Sequence, residues 1–285
     1  MKAYFLQRLF ELQRAFPVLV YGYAAMDNHL HLLIRFEPER IGDLEDEDAV
    51  GRWVRLFPGA CRHRLDPEAA IQQRIKALLL DPVEVAAIRG RLRNLSAFLK
   101  ALKQPMAERY NRLTGQQGSL FQGRCSVTAP QNDQEALAMW AYIECNPFAA
   151  GLCEQPEAGA YTSLEARAGS GPAQEGERTA GEDASSGTRV RAGRRVLVPL
   201  PGSGPGPREA PRVSLSAARD ADGRFRQPPL HERVTLSALR AVVRALAAKL
   251  REGKRVLKVS GERRLELALE AAREVFEVSN PKLVM

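Results

Sequence analysis

Alternation of imidazole and aliphatic side chains in His29-Leu30-His31-Leu32-Leu33-Ile34 constrains the fold more than any other stretch of this chain. Side chains alternate faces along a strand, so His29 and His31 project together, about 7 Å apart along the backbone. Leu30, Leu32 and Ile34 then take the opposite face and bury it. A rigid element of this kind can offer two neutral imidazole nitrogens to one divalent metal. The chain has four histidines, and two of them stand here. A lone His-x-His pair is common, so its meaning depends on its surroundings.

A second feature lies at Asn132–Pro147. Asn132 followed three residues later by Glu135 resembles a capping box and predicts a helix start. Pro147 disfavours helical geometry at Asn146 and ends the helix nearby. Tyr142 and Asn146, four apart, share one helix face at a separation of about 6 Å. A nucleophile and a carboxamide could therefore approach one metal together. Without the histidines, Tyr142 would read as an ordinary half-buried helical tyrosine.

The remaining pattern predicts a helix over Tyr4–Leu12, a strand over Pro17–Tyr23, and a hairpin bend at Asp27-Asn28 leading into the histidine strand. A helical insertion follows, with helices over Asp46–Phe57 and Glu68–Leu80, then from Asp81 to about Asn94, and over Leu95–Leu113. Asp81-Pro82-Val83-Glu84 combines a cap, a first-turn proline and an acid. Pro105 predicts a kink. Gly115 and Gly118 turn the chain into a strand over Ser119–Ala129, before the tyrosine helix. From about Ala166 to Arg233, Gly, Pro, Ser, Ala and Arg dominate, and Phe225 is the only aromatic residue. That composition cannot bury enough apolar surface to order itself and reads as a disordered linker. Thr235 caps a helix with apolar positions Leu236, Leu239, Val242, Val243, Leu246 and Leu250, followed by a short strand over Arg255–Val259 and a helix from Glu262 to about Phe276. Two helices of about 15 residues make too small a core alone, which leaves docking on the first part of the chain or on a partner open. The expected organisation is thus 1–165, a linker over 166–233, and a helical segment over 234–285.

A net charge of +8 with a pI near 9.6 favours a polyanionic partner, to which Arg189, Arg191, Arg194 and Arg195 of the linker could add non-specific attraction. Cys61, Cys125, Cys145 and Cys153 lack Cys-x-x-Cys spacing, and no signal peptide is recognisable, so the thiols read as reduced and the location as cytoplasmic. The apolar run from Phe16 to Met26 is too short to cross a bilayer, so no membrane partner is expected. No Gly-x-x-x-x-Gly-Lys-Ser/Thr loop occurs, which argues against a nucleotide cofactor.

Three ordered motifs carry a family resemblance: Met26-x-Asn28-His29-Leu30-His31-Leu32-Leu33-Ile34, Gly118-Ser119-Leu120-Phe121-Gln122-Gly123-Arg124, and Ala141-Tyr142-Ile143-x-x-Asn146-Pro147-x-x-Ala150-Gly151-Leu152. Over roughly residues 3–165 the chain resembles the single-tyrosine transposases of the His-hydrophobe-His class. Within these it is most similar to the REP-associated tyrosine transposases, relatives of insertion sequence 200. The resemblance implies a ferredoxin-like (RRM-like) antiparallel sheet with helices, which cuts and rejoins single-stranded or hairpin DNA through a 5′-phosphotyrosine. It implies His29 and His31 as a Mg²⁺- or Mn²⁺-binding pair, Asn146 as an oxygen ligand one turn beyond the nucleophile Tyr142, and Arg124 as a phosphate contact, with Arg112 second. A homodimer is one arrangement it leaves open, and a bacterial, nucleoid-associated location follows from DNA binding.

The pattern departs from that family in places. Members carry a strand before the opening helix, whereas Met1 falls almost directly on that helix, so the sheet is expected to lack its first strand and to leave edges unpaired. Phe121 stands for a tryptophan and Cys125 for an aromatic residue. Tyr110 also sits near arginines but lacks the Asn-Pro partner, which favours Tyr142. Two other readings stay open at this point: a non-catalytic hairpin-DNA-binding protein, and a metal-dependent hydrolase in which Tyr142 is incidental.

Overall fold

The computed structural model describes residues 1–121, 125–168, 218–219, 225–226, 234–252 and 255–279. It is mixed α+β and mostly helical, and its longest strands form a two-stranded antiparallel sheet. Contacts divide the chain into two units: Met1–Leu19 with Ile34–Arg124, and Val20–Leu33 with Cys125–Met285.

In the first unit, helix α1 (Lys2–Gln13) buries Phe5, Leu6, Leu9 and Leu12, the positions expected of one helical stripe. It packs on α5 (Leu95–Thr114), where the buried Arg8 donates from Nε to Ala101 O at 3.1 Å. Three helices, α2 (Asp46–Leu56), α3 (Pro67–Leu79) and α4 (Pro82–Leu92), close around Val50, Val54, Ile75, Ile88 and Leu92. The start of α4 at Asp81 follows its sequence signal, and side-chain caps that the sequence reading did not name start α3 and α5. Asp66 accepts from the Ala69 N–H at 2.9 Å, Asp81 from Val83 and Glu84 at 3.0 and 3.2 Å, and Asn94 from Ala97 at 3.1 Å. Each such cap stabilises its helix by about 1 kcal/mol. The α5 helix runs through Pro105 and ends at Gly115, whose φ of 68° suits a residue without a side chain.

The strand expected over Ser119–Ala129 is not formed by the described residues of that segment. Side chains satisfy the backbone locally instead: Asn111 Nδ2 donates to Gly118 O at 2.8 Å and Ser119 Oγ to Phe121 O at 2.6 Å. Cys125 through Ala129 are exposed, so no apolar face draws them onto a sheet.

In the second unit, the hairpin of β1 (Val18–Ala25) and β2 (Leu30–Phe36), which lends its outer residues to the first unit, is closed by the Met26 N–H on His29 O at 3.0 Å. The other edge of β1 is bonded to residues 161–163. Ala24 bridges Thr162, the Ala25 N–H reaches Tyr161 O at 3.1 Å, and the Tyr23 N–H reaches Ser163 Oγ at 3.0 Å. Helices α6 (Asp133–Glu144), α7 (Asn146–Ala149) and α8 (Ser163–Ala168) follow, then α9 (Leu236–Lys249) and α10 (Gly261–Ser279). Short antiparallel pairs join Ala218–Arg219 to Phe225–Arg226, inside the expected linker, and Arg251–Glu252 to Arg255–Val256, where a strand was expected over Arg255–Val259. Residues 166–168 of the expected linker instead complete α8, with Ala166 and Arg167 buried, and the linker's remaining residues lie outside the described ones.

Of the dockings left open for the C-terminal segment, the structure shows one within the chain: α9 and α10 pack on α6 and on one another, burying Leu239, Val242, Val243, Leu246, Ala268, Ala271 and Ala272. The faces of β2 differ from expectation. Leu30, Leu32 and Ile34 are only half-buried, whereas Leu33 is buried on the histidine face, which α6 meets through the His31–Tyr142 ring contact. Close approach is possible at Gly22, where an added Cβ would stand 2.7 Å from Trp140 Nε1.

Below that contact lies a fully buried carboxylate. Trp140 Nε1 donates to Glu144 Oε1 at 3.1 Å, the Leu164 N–H to Oε2 at 2.8 Å, and Ser163 Oγ to Oε1. Burial pushes Glu144 up from 4.5 to about 7, against the opposing hydrogen bond from Ser163 and the charge of Arg167. A carboxyl raised in the folded state holds a proton that the unfolded chain releases. Its contribution is therefore complete below pH 4.5 and lost as pH rises through about 7. From the size of that shift, this group alone should lower unfolding stability by about 3 kcal/mol across that window. Denaturant melts of wild type and Glu144→Gln over the same pH range check this. The difference between them isolates the group, because His31, depressed to about 4, works in the opposite direction. Parallel pH profiles would remove Glu144 as the titrating group.

Candidate functional site

The site is built in the second unit from three stretches of chain: the hairpin, α6 with α7, and α10. The α6 helix starts as its sequence predicts, with Asn132 Oδ1 accepting from the Glu135 N–H at 2.9 Å and the Glu135 carboxylate accepting from the Gln131 N–H at 2.8 Å. The helix projects Tyr142 toward β2, where the His31 and Tyr142 rings meet edge-on with centroids 5.8 Å apart. His29 and His31 meet in the same manner at 4.8 Å. The hairpin and the tyrosine helix, more than 100 positions apart in sequence, thus bring both imidazoles and the phenol together.

Each polar group is oriented by a neighbour. His29 Nδ1–H donates to Asn28 Oδ1 at 2.7 Å, which leaves the Nε2 lone pair for a ligand. His31 Nε2 is buried with no hydrogen-bond partner among the described residues. Asn146 is buried, and its Nδ2 donates to the Tyr142 carbonyl at 2.9 Å and the Ile143 carbonyl at 3.4 Å. Its Oδ1 accepts from Arg264 Nη1 at 3.2 Å.

Electrostatics keep the imidazoles neutral. Loss of water lowers His31 to about 4, helped by the charges of His29 and Arg264. His29, on the exposed turn, is lowered by partial desolvation and then by Arg264. Neutral imidazole is the metal-binding form. His31 Nε2, buried without a hydrogen-bond partner among the described residues, and His29 Nε2 are nitrogen donors of the kind a divalent cation takes, while Asn146 Oδ1 is bonded to Arg264. Among the described residues no group of three or more His, Cys, Asp or Glu could hold a metal, so a cation here would rest on two imidazoles and an amide.

Of the residues singled out from sequence, His29, His31, Tyr142 and Asn146 converge. Arg112 is exposed on the last turn of α5, in the first unit, and Tyr110 is half-buried on the same helix. Arg124 lies outside the described residues. Sequence reading expected α10 as a helix but missed its place in the site. Its Arg264 sits over the Tyr142 ring, 5.4 Å from the centroid, and a Cβ added to Gly261 would lie 3.4 Å from the phenol oxygen. No motif marks either residue. The available signal was the one-sided apolar stripe of residues 236–250, which requires a partner.

Among the described residues no helix is long and apolar enough to cross a membrane. Compared with models of protein families, with curated proteins and with solved structures, the chain gives no match.

Proposed function

We propose that this chain is a metal-dependent, single-tyrosine endonuclease and strand transferase that acts on single-stranded, hairpin-bearing DNA, as in the transposases it resembles. The observation that carries the reading is the convergence of His29 and His31 with Tyr142 and Asn146. Two motifs far apart in sequence meet at one place, where His31 Nε2 has no hydrogen-bond partner among the described residues and Asn146 Oδ1 accepts from Arg264. The basic charge of the chain suits a polyanionic substrate. A ferredoxin-like arrangement belongs to the same proposal, with the β1–β2 hairpin and α6 as its parts in the second unit.

Tyr142 Oη attacks a DNA phosphorus. A P–Oη bond forms, the bond from phosphorus to the 3′ oxygen breaks, the phenolic proton departs, and the 3′ oxygen leaves as a hydroxyl. One phosphodiester replaces another, so the bond energy is kept for rejoining and no nucleotide is consumed. A Mg²⁺ or Mn²⁺ held by His29, His31 and Asn146 would polarise the phosphate and offset charge on the leaving oxygen. A phenol is a weak nucleophile at neutral pH, which is why the other groups matter. His31 packs edge-on against the Tyr142 ring and restricts its swing. Asn146 ties the end of α6 to the same point through the Tyr142 carbonyl.

The test uses a labelled hairpin oligonucleotide with single-stranded flanks, Mn²⁺, denaturing electrophoresis and peptide mass spectrometry. Wild type should form a covalent adduct at Tyr142, and Tyr142→Phe, which removes one oxygen and keeps the ring, should form none. An adduct on Tyr110 overturns the assignment. DNA binding without an adduct or cleavage would mean a non-catalytic hairpin-binding protein, and metal-dependent cleavage without an adduct would mean a hydrolase.

A further inference from the structure

Arg264 stands in the first turn of α10, a poor place for a cation, because the N-terminal end of a helix is itself positive. Its neighbour Arg263 is neutralised, with Glu266 at 2.8 Å and Glu270 at 3.6 Å. Arg264 has no such relief among the described residues. Nη1 is spent on the Asn146 amide, the guanidinium carbon lies over the Tyr142 ring, and the buried Nε has no acceptor. A half-buried guanidinium without a counter-charge costs free energy that an arriving anion would recover. The unused donor lies in the same site as the Tyr142 phenol, whose oxygen abuts Gly261.

We propose that Arg264 grips a backbone phosphate of single-stranded DNA beside the Tyr142 phenol, so that α10 supplies the anion-binding half of the site. This rests on the reading of the site as one that handles DNA phosphates. The hairpin and α6 would then provide the metal ligands and the nucleophile, and α10 the charge that holds the substrate in line with them. A planar fork of N–H donors suits two phosphate oxygens at once, which lysine cannot match.

The experiment is a methylphosphonate scan with the full chain, in a Tyr142→Phe background and without divalent metal. The probe is a hairpin oligonucleotide with single-stranded flanks, selected by the full chain from a randomised pool. Each variant probe carries one uncharged linkage, and affinity is read by fluorescence anisotropy. The parent should lose roughly tenfold to a hundredfold in affinity at one linkage, the scale of a charge-assisted hydrogen bond. Arg264→Gln should bind the unmodified probe that much more weakly and be indifferent to that linkage. Arg264→Lys, which keeps the charge, should retain part of the sensitivity and carries the test if Arg264→Gln does not fold. Unchanged binding by Arg264→Gln, tighter binding, or sensitivity at the same linkage would overturn the proposal, as would a parent that binds no single-stranded DNA. Coupling at one linkage without any Tyr142 adduct in the wild type would leave this assignment standing and remove the nuclease reading. An adduct without coupling would do the reverse.

Discussion

Deletion of residues 234–285 is expected to abolish DNA cleavage and to leave α6 without a folded core. The tail looks dispensable in sequence, because all three motifs precede it and a Gly/Pro/Ser-rich stretch separates it from them. The packing says otherwise. Leu239, Val242, Val243, Leu246 and Leu250 are fully buried, and Val243 O accepts from the buried Cys145 thiol, the residue next to Asn146, at 3.6 Å. Each of these side chains is worth about 1.5–3 kcal/mol when removed from water. Their combined loss, on the order of 10 kcal/mol, matches the whole stability of an ordinary domain. Deletion also removes Arg264 and Gly261 from beside Tyr142. Limited proteolysis should then cut within α6, the second unit should lose its cooperative melt, and the hairpin oligonucleotide should stay intact. A truncated chain that melts within a few degrees of wild type and still cleaves would show that α6 needs neither C-terminal helix.

That outcome would also locate what sequence could not convey. Local signals were read well. The caps read at Asp81, Asn132 and Thr235 are all present, since a cap is a bond between a side chain and a backbone N–H two or three residues away. The histidine pair and the tyrosine helix were legible for a similar reason, each being a short-range pattern. Arg264 was not, because it meets Asn146 across 118 positions and no periodicity reaches that far. The strand expected over Ser119–Ala129 is absent among the described residues of that segment, because a strand exists only with an edge to pair against, which propensity does not supply. The buried face of β2 was misjudged because alternation shows that two faces differ without showing which one meets a helix. Leu33, beside the histidines, proved to be the buried residue.

The other large effect is expected at the histidines. Replacing both His29 and His31 with alanine removes both nitrogen ligands and leaves a lone amide oxygen, which cannot hold a divalent ion at working concentrations. Cleavage should vanish, and Mn²⁺ binding followed by electron paramagnetic resonance should vanish with it. DNA affinity should change little, because it comes mainly from phosphate contacts. A chelator added to wild type should reproduce the loss, and excess Mn²⁺ should restore activity there but not in the variant. The pH dependence gives a second handle. With His31 depressed to about 4 and His29 also lowered, protons should compete poorly for the site at neutral pH and displace the metal from His31 only as pH falls toward about 4. Asn28→Ala is the finer probe, because it keeps both ligands and frees the His29 ring to turn and change tautomer. A partner of that kind is worth about tenfold to a hundredfold in metal affinity. Mn²⁺ affinity should therefore weaken in Asn28→Ala by that factor, while the DNA adduct still forms at saturating metal. A double-histidine variant that binds Mn²⁺ or cuts DNA at the wild-type rate would end the metal assignment, whatever the fate of Tyr142.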